Sequence, residues 1–240
     1  MADLQTIVMI PTYNEAGNIA RLLEELLQVD DSLGCVVVDD NSPDGTARII
    51  GDMSTKHPGR IKLVLREGRL GRASAGIRGM QEAIALQPAY IAEMDADFSH
   101  DPACINTFIS EIQDCDVVVG SRFVPGGKDA DRSFIRKQVS VLSNLVFRLI
   151  LGLKVRDVGS GFKLYRREVL ESLPWSDFLS SGISISMEEL FRIAKMGFRI
   201  KEVPIVFVDR KQGESKLRPT DFIEPLKVSL QLTRILGRTK

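Results

Sequence analysis

Five short apolar runs, with helically spaced stretches between them, constrain this chain more than anything else in it. Thr6-Ile7-Val8-Met9-Ile10, Cys35-Val36-Val37-Val38, Ile61-Lys62-Leu63-Val64-Leu65, Tyr90-Ile91-Ala92-Glu93-Met94 and Asp116-Val117-Val118-Val119 have the length and bulk of buried strands, the first closed by Pro11. After the first run, Ile19, Leu22, Leu23, Leu26 and Leu27 recur at helical spacing and form one apolar stripe. Segments 46–56, 72–87 and 102–113 are patterned as helices too. Strands alternating with helices predict an α/β fold, a mostly parallel sheet with helices on both faces. Such sheets take their ligands beyond the carboxyl ends of the strands.

Past about residue 125 the alternation stops. A loop at 125–129 leads into a long helical pattern over 133–151, a second over 183–196, a strand over 200–208, a polar loop at 212–216 and an amphipathic helix over 222–236. With no repeat, low-complexity tract or linker, the 240 residues read as a single domain, 1–124 forming one half and 125–240 an accessory C-terminal part. Lys plus Arg equals Asp plus Glu at 32 each, so no overall field favours nucleic acid as a partner. Cys35, Cys104 and Cys115 lack metal-ligand spacing and suit a reducing, cytoplasmic setting. No signal peptide and no run of roughly 18 apolar residues is found, so the expectation is a soluble or peripheral protein.

Polar clusters stand where the strands should end. Pro11-Thr12-Tyr13-Asn14-Glu15 follows the first, Asp39-Asp40-Asn41-Ser42-Pro43-Asp44-Gly45 the second, Asp95-Ala96-Asp97-Phe98-Ser99-His100 the fourth and Gly120-Ser121-Arg122-Phe123 the fifth. In an extended segment residues i and i+2 point the same way, so Asp95 and Asp97 can present two carboxylates to one divalent cation. One such cluster alone reads more simply as a turn or helix cap, and Asp44 fits a cap well. Acidic clusters ending two strands of one sheet point further. His57 and His100 read as surface residues, and Arg69-Leu70-Gly71-Arg72 is a weak phosphate-binding signal.

The ordered set of motifs resembles the family 2 glycosyltransferases of GT-A fold, and among them the dolichyl/polyprenyl-phosphate mannosyltransferases. It comprises residues 11–15, 38–46, 94–100, 120–123, 160–166, 187–188, 207–210 and 213–217, within a match that runs from Ile10 to about Leu236, nearly the whole chain. The resemblance implies a Rossmann-like core and a metal-dependent, inverting hexosyltransferase acting on a polyprenyl or dolichyl phosphate. The donor it implies is GDP-mannose, ahead of a UDP-hexose. By that similarity Pro11, Tyr13, Glu15, Asp39, Asp40, Asp44 and Ala96 line the nucleotide-sugar pocket. Asp95 and Asp97, with Ser99 beside them, hold Mg²⁺ or Mn²⁺. Arg122, Arg136 and Ser140 meet the acceptor phosphate, while Arg210 and Lys216 close over the donor. The chain departs from the family pattern at Arg69-Leu70-Gly71, where Gly-Leu-Gly is usual, and at Ser99, where some relatives carry Gln.

A phosphate acceptor is largely dianionic at neutral pH, its second pKa being about 6, so no general base is expected. The lipid acceptor implies contact with a membrane surface, peripheral on its cytoplasmic face, with a small membrane-embedded protein as an anchoring partner. Phe134, Ile135, Val139, Leu142, Val146, Phe147, Leu149 and Ile150 make one side of 133–151 apolar, and Phe222, Ile223, Leu226, Leu230 and Leu232 do so near the C-terminus. Packing on a core is the ordinary use of such stripes and is favoured here; basic Arg136 and Arg148 speak for the lipid interface. The rivals are a family 2 transferase with a soluble acceptor and a non-catalytic nucleotide-sugar binder. A nucleotidyltransferase would need a Gly-rich basic loop after the first strand.

Overall fold

The computed structural model describes residues 4–130, 133–208 and 220–239. In the first half, β1 (Thr6–Thr12), β2 (Leu33–Asp39), β3 (Ile61–Leu65), β4 (Tyr90–Glu93) and β5 (Val117–Ser121) alternate with α1 (Ile19–Val29), α2 (Thr46–Lys56), α3 (Arg72–Ile84) and α4 (Cys104–Glu111). The second half adds β6 (Lys128–Ala130), α5 (Phe134–Leu151), β7 (Lys163–Arg166), α6 (Arg167–Glu171), α7 (Ile185–Lys195), β8 (Ile200–Pro204), β9 (Val206–Val208) and α8 (Thr220–Leu236). The main sheet runs β3-β2-β1-β4-β7-β5-β8, and β6 pairs with β9 in a small second sheet. Only β7 runs antiparallel to its neighbours in the main sheet.

Alternation along each strand divides the core. Val8, Ile10, Cys35 and Val37 face the side covered by the α1 stripe, Ile50 and Met53 of α2, and Ile105 and Phe108 of α4. Ile7, Met9, Val36 and Val38 face the side covered by α3, α6, α7 and the inner face of α8. Gly79 lets α3 lie close on that second face: a Cβ there would stand 2.6 Å from Met9 Cγ. Helix α5 starts at Ser133, whose hydroxyl accepts the Arg136 N–H at 3.5 Å, and stops at left-handed Gly152.

Three elements differ from the sequence reading. Strand β1 does not stop at Pro11 but pairs with β2 through Thr12. Met9 accepts from Met94 on the β4 side and Thr12 accepts from Asp40 on the β2 side. Pro11 therefore turns its donorless nitrogen toward β4, where pairing has already ended at Glu93. The run 200–208 is two strands, β8 ending at Pro204 and β9 turning away to β6. Strand β7, with Lys163 and Arg166 in a four-residue run, carries no alternation that marks it in the sequence, yet it is the centre of the β4–β5 junction.

Candidate active site

Strand β1 lies between β2 and β4, so the strand order reverses beside it and the loops after β1, β2, β3 and β4 diverge around a crevice. A cavity of about 280 Å³ opens there, lined by Pro11, Thr12, Tyr13, Glu15, Asp40, Arg69, Gly71, Arg72, Ala75, Asp95 and Ala96. Six of the residues singled out in the sequence for a nucleotide sugar or its metal meet on this wall: Pro11, Tyr13, Glu15, Asp40, Asp95 and Ala96.

Asp40 is held from two directions. Its Oδ1 accepts from Arg66 Nη1 at 2.6 Å and its Oδ2 from the Gly71 N–H at 3.0 Å. Gly71 takes φ +95 to make that turn, which favours glycine. Arg69 lies over the Tyr13 ring, its guanidinium carbon 4.4 Å from the centroid. Glu15 accepts from Asn18 Nδ2 at 2.9 Å at the start of α1.

Asp39 and Asp44 are not on the cavity wall. Asp39 is fully buried and accepts from Thr12 Oγ1, Ser42 Oγ and the Ser42 N–H at 3.0, 2.6 and 2.8 Å. Asp44 accepts from the N–H groups of Ala16 and Thr46 and from Thr46 Oγ1. Burial raises its pKa, but those bonds outweigh it and the carboxyl is held below its usual range. Both carboxylates brace the turn that presents Asp40; the N-cap of α2 is Gly45, not Asp44, which accepts instead from Thr46, the first residue of the helix.

The second acidic pair is not carried by strand alternation. Strand β4 ends at Glu93, so Asp95 and Asp97 lie in the following turn, where Phe98 takes φ +58. Asp95 pairs with Arg72 Nη1, while Asp97 Oδ1 accepts the Ser99 N–H at 3.0 Å. The Asp95 charge is the main cause of an upward shift in the Arg72 pKa. Ser99 Oγ is buried without a hydrogen-bond partner, and neither Asp97 nor Ser99 is among the residues lining the cavity. Carboxylate and hydroxyl oxygens such as these are the hard donors that Mg²⁺ or Mn²⁺ takes. No group of three or more His, Cys, Asp or Glu side chains forms a metal cage among the described residues. A cation here would draw further oxygens from a ligand.

His100 corrects the sequence reading: it is 3% exposed, stacked on Phe162 at 4.9 Å and edge-on to Phe207 at 5.4 Å. Burial lowers its pKa against the pull of Asp95 and Asp97, which favours a neutral ring. His57 is half-buried rather than exposed.

Arg122 follows β5 and is gripped by buried Asp157, with Nε and Nη2 each at 2.7 Å from its two oxygens. Its guanidinium stacks against Phe123 and Phe207. Burial pulls its pKa down, yet the Asp157 bonds and charge more than offset that. Arg136 and Ser140 are half-buried one turn apart on α5. A groove of about 490 Å³ further along α5 is lined by Phe123, Val141, Asn144, Leu145, Arg148 and Arg156, without Arg136 or Ser140. Arg210 and Lys216 lie outside the described residues, as does the side chain of Phe222.

The residue matches settle what kind of chain carries this cavity. The sequence model described as Glycosyl transferase family 2 matches residues 7–173. The chain belongs to that family. This glycosyltransferase is 32% identical over 223 residues to the polyprenol monophosphomannose synthase of Mycolicibacterium smegmatis, covering 92% of this chain and 84% of that one. It is 34% identical over 214 residues to the undecaprenyl-phosphate mannosyltransferase of Micrococcus luteus, covering 89% and 88%. Among solved structures, a Pyrobaculum calidifontis mannosyltransferase in complex with GDP-Man and Mn²⁺ superposes with a TM-score of 0.60 at 20% identity, covering 95% of this chain and 69% of that one. At that identity the likeness is one of fold, and it is the GT-A fold expected of this glycosyltransferase.

Two features of the site were underweighted in the sequence. Arg69 and Arg72 stand on the cavity wall, and the signal was there in two arginines bracketing a glycine before a helix. The apolar side of α5, for which core packing was favoured, is largely in solvent: Phe134 and Ile135 are 74% exposed, Leu142 and Leu149 61%. Ile223, Leu226 and Leu230 of α8 are exposed as well, whereas Leu232 is buried. No helix among the described residues is long and apolar enough to cross a membrane.

Proposed function

We propose that this glycosyltransferase moves mannose from GDP-mannose onto a polyprenyl or dolichyl phosphate, inverting the anomeric carbon, with Mg²⁺ or Mn²⁺ at Asp95, Asp97 and Ser99. The observation that carries the acceptor assignment is the solvent-facing apolar side of α5, on the helix that bears Arg136 and Ser140. A soluble acceptor gives no reason for it. The two named relatives, a polyprenol monophosphomannose synthase and an undecaprenyl-phosphate mannosyltransferase, support the same substrate class. Residues 1–124 serve the donor, with Pro11, Tyr13, Glu15, Asp40 and Ala96 along the cavity and Asp39 and Asp44 shaping it. Residues 125–240 serve the acceptor and the membrane surface.

A divalent cation in this site would neutralise charge on the departing diphosphate. The protein's own groups orient the reactants. Arg122, fixed by Asp157, and Arg136 with Ser140 hold the acceptor phosphate, and Arg210 and Lys216 are assigned to the donor diphosphate. The acceptor arrives as a dianion, and the carboxylates of α7 are already engaged. Glu188 accepts from Leu179, Ser180 and Arg192, and Glu189 from Lys163 and Tyr165. Catalysis then rests on positioning and charge stabilisation rather than on a base. The exposed apolar sides of α5 and α8 set the enzyme on the cytoplasmic face of a membrane, with a small membrane protein as a further anchor.

Transfer of radiolabelled mannose from GDP-mannose into an organic-extractable product, with polyprenyl phosphate and Mn²⁺ supplied, tests the reading. Asp97→Ala is expected to abolish it, and near-normal turnover would remove the metal assignment. Label appearing only in a water-soluble product would favour the soluble-acceptor reading. A thermal-shift comparison of GDP- and UDP-sugars separates the donors, since a bound ligand raises the melting point by mass action.

A further inference from the structure

Arg72 opens α3 and serves two carboxylates at once. It pairs with Asp95 on the turn after β4 and stands 3.7 Å from Glu93, the last residue of that strand. Behind it the charges are sealed. Lys163 Nζ lies 2.8 Å from both Glu93 Oε2 and Glu189 Oε2, and the Tyr165 hydroxyl donates to Glu189 at 3.0 Å. Lys163 and Tyr165 have no exposed surface. Arg72 and Asp95 are the open end of this row, their side chains 27% and 19% exposed on the wall of the 280 Å³ cavity. Gly161 closes the remaining side: a Cβ there would lie 2.9 Å from Arg72 Nη2 and 3.5 Å from Asp95 Oδ2. The guanidinium is thus confined by Gly161, Glu93 and Asp95, with the cavity as its free direction.

We infer that Arg72 is a placeholder cation for Asp95, yielding that carboxylate to a divalent ion and turning its forked donors to the donor diphosphate on the same wall. The inference rests on reading this cavity as the nucleotide-sugar pocket. An arginine keeps its charge at any physiological pH, so it competes with a metal for a carboxylate without ever ligating the metal itself. Its planar fork matches phosphate oxygens as well as it matches a carboxylate. Glu93, 3.7 Å from Arg72 and itself packed against Lys163, keeps the released side chain within reach. The arrangement predicts effects of opposite sign from one substitution. Losing Arg72 removes a rival for the metal and removes a contact to the diphosphate.

Isothermal titration of the intact protein with Mn²⁺ alone, and with GDP-mannose at saturating Mn²⁺, reads both. Arg72→Gln is expected to bind Mn²⁺ alone on the order of tenfold more tightly and GDP-mannose on the order of tenfold more weakly, from the loss of one charge-assisted hydrogen bond in each case. Arg72→Lys keeps the charge but not the fork, so Mn²⁺ affinity stays near that of the natural protein while GDP-mannose binding weakens. Arg72→Gln that holds Mn²⁺ no more tightly, or GDP-mannose no less tightly, overturns the inference while leaving the donor pocket standing. Natural protein that binds no nucleotide sugar overturns the pocket reading and this inference with it. If the Gln variant does not fold, the Lys variant decides, and unchanged GDP-mannose affinity there is the refuting result.

Discussion

Replacing Lys163 with Met tests how the middle of the sheet tolerates charge. Lys163 is fully buried and stands 2.8 Å from the carboxylates of Glu93 and Glu189, themselves 2% and 1% exposed. Methionine fills a similar volume but leaves two carboxylates facing each other out of water. Removing one partner from a buried ionic cluster costs about 3–5 kcal/mol. For a chain of this size that corresponds to a melting point lower by roughly 6–20 °C. The pH dependence is the sharper readout. Burial raises the Glu189 pKa above its ordinary 4.5, with Lys163 holding it down and Glu93 pushing it up. Without the ammonium that rise grows. A carboxyl whose folded pKa lies above its unfolded one contributes stability that is present below the unfolded value and lost as pH climbs through the folded one. The variant should therefore lie closer to the natural protein at about pH 5.5 and fall further behind at about pH 8, in urea melts followed by circular dichroism. A deficit below about 1 kcal/mol, or one equal at both pH values, would refute the claim that Lys163 carries a charge these two carboxylates require.

Gly79→Ala is expected to destabilise by about 1–2 kcal/mol despite the better helix propensity of alanine, because the added methyl meets Met9 and Val38 inside 3 Å. A neutral or stabilised variant would show that α3 has room to lift from the sheet. Leu142→Glu with Leu149→Glu should leave the melting point within a degree or two, both side chains being 61% exposed. The same pair should sharply reduce sedimentation with anionic phospholipid vesicles, and unchanged sedimentation would take α5 out of the membrane reading.

Much of the first half was legible because its strands are buried on both faces. Runs such as Cys35-Val36-Val37-Val38 have little alternative, and α2 spans the segment its pattern marks, 46–56. Strand β7 was not legible, because Lys163 owes its buried place to Glu93 and Glu189, which are distant in sequence. His100 was misread for the same reason, its burial supplied by Phe162 and Phe207. At the site, the sequence located the crevice-lining Tyr13, Glu15, Asp40 and Asp95 through strand ends. It could not separate Asp40, which faces the cavity, from its neighbour Asp39, which braces the turn. Adjacent residues of one type differ there only in the direction their side chains take.

The antiparallel strand has a consequence for how the chain comes together. Strand β5 touches the main sheet through β7 on one side and β8 on the other, and β4 meets β5 only across β7. A nascent chain that has emerged only as far as residue 124 has made β5 but owns neither of its neighbours. The ribosome must deliver residues beyond 166 before that gap closes, and the crevice that gathers the acidic loops is finished late, by a strand arriving from the opposite direction.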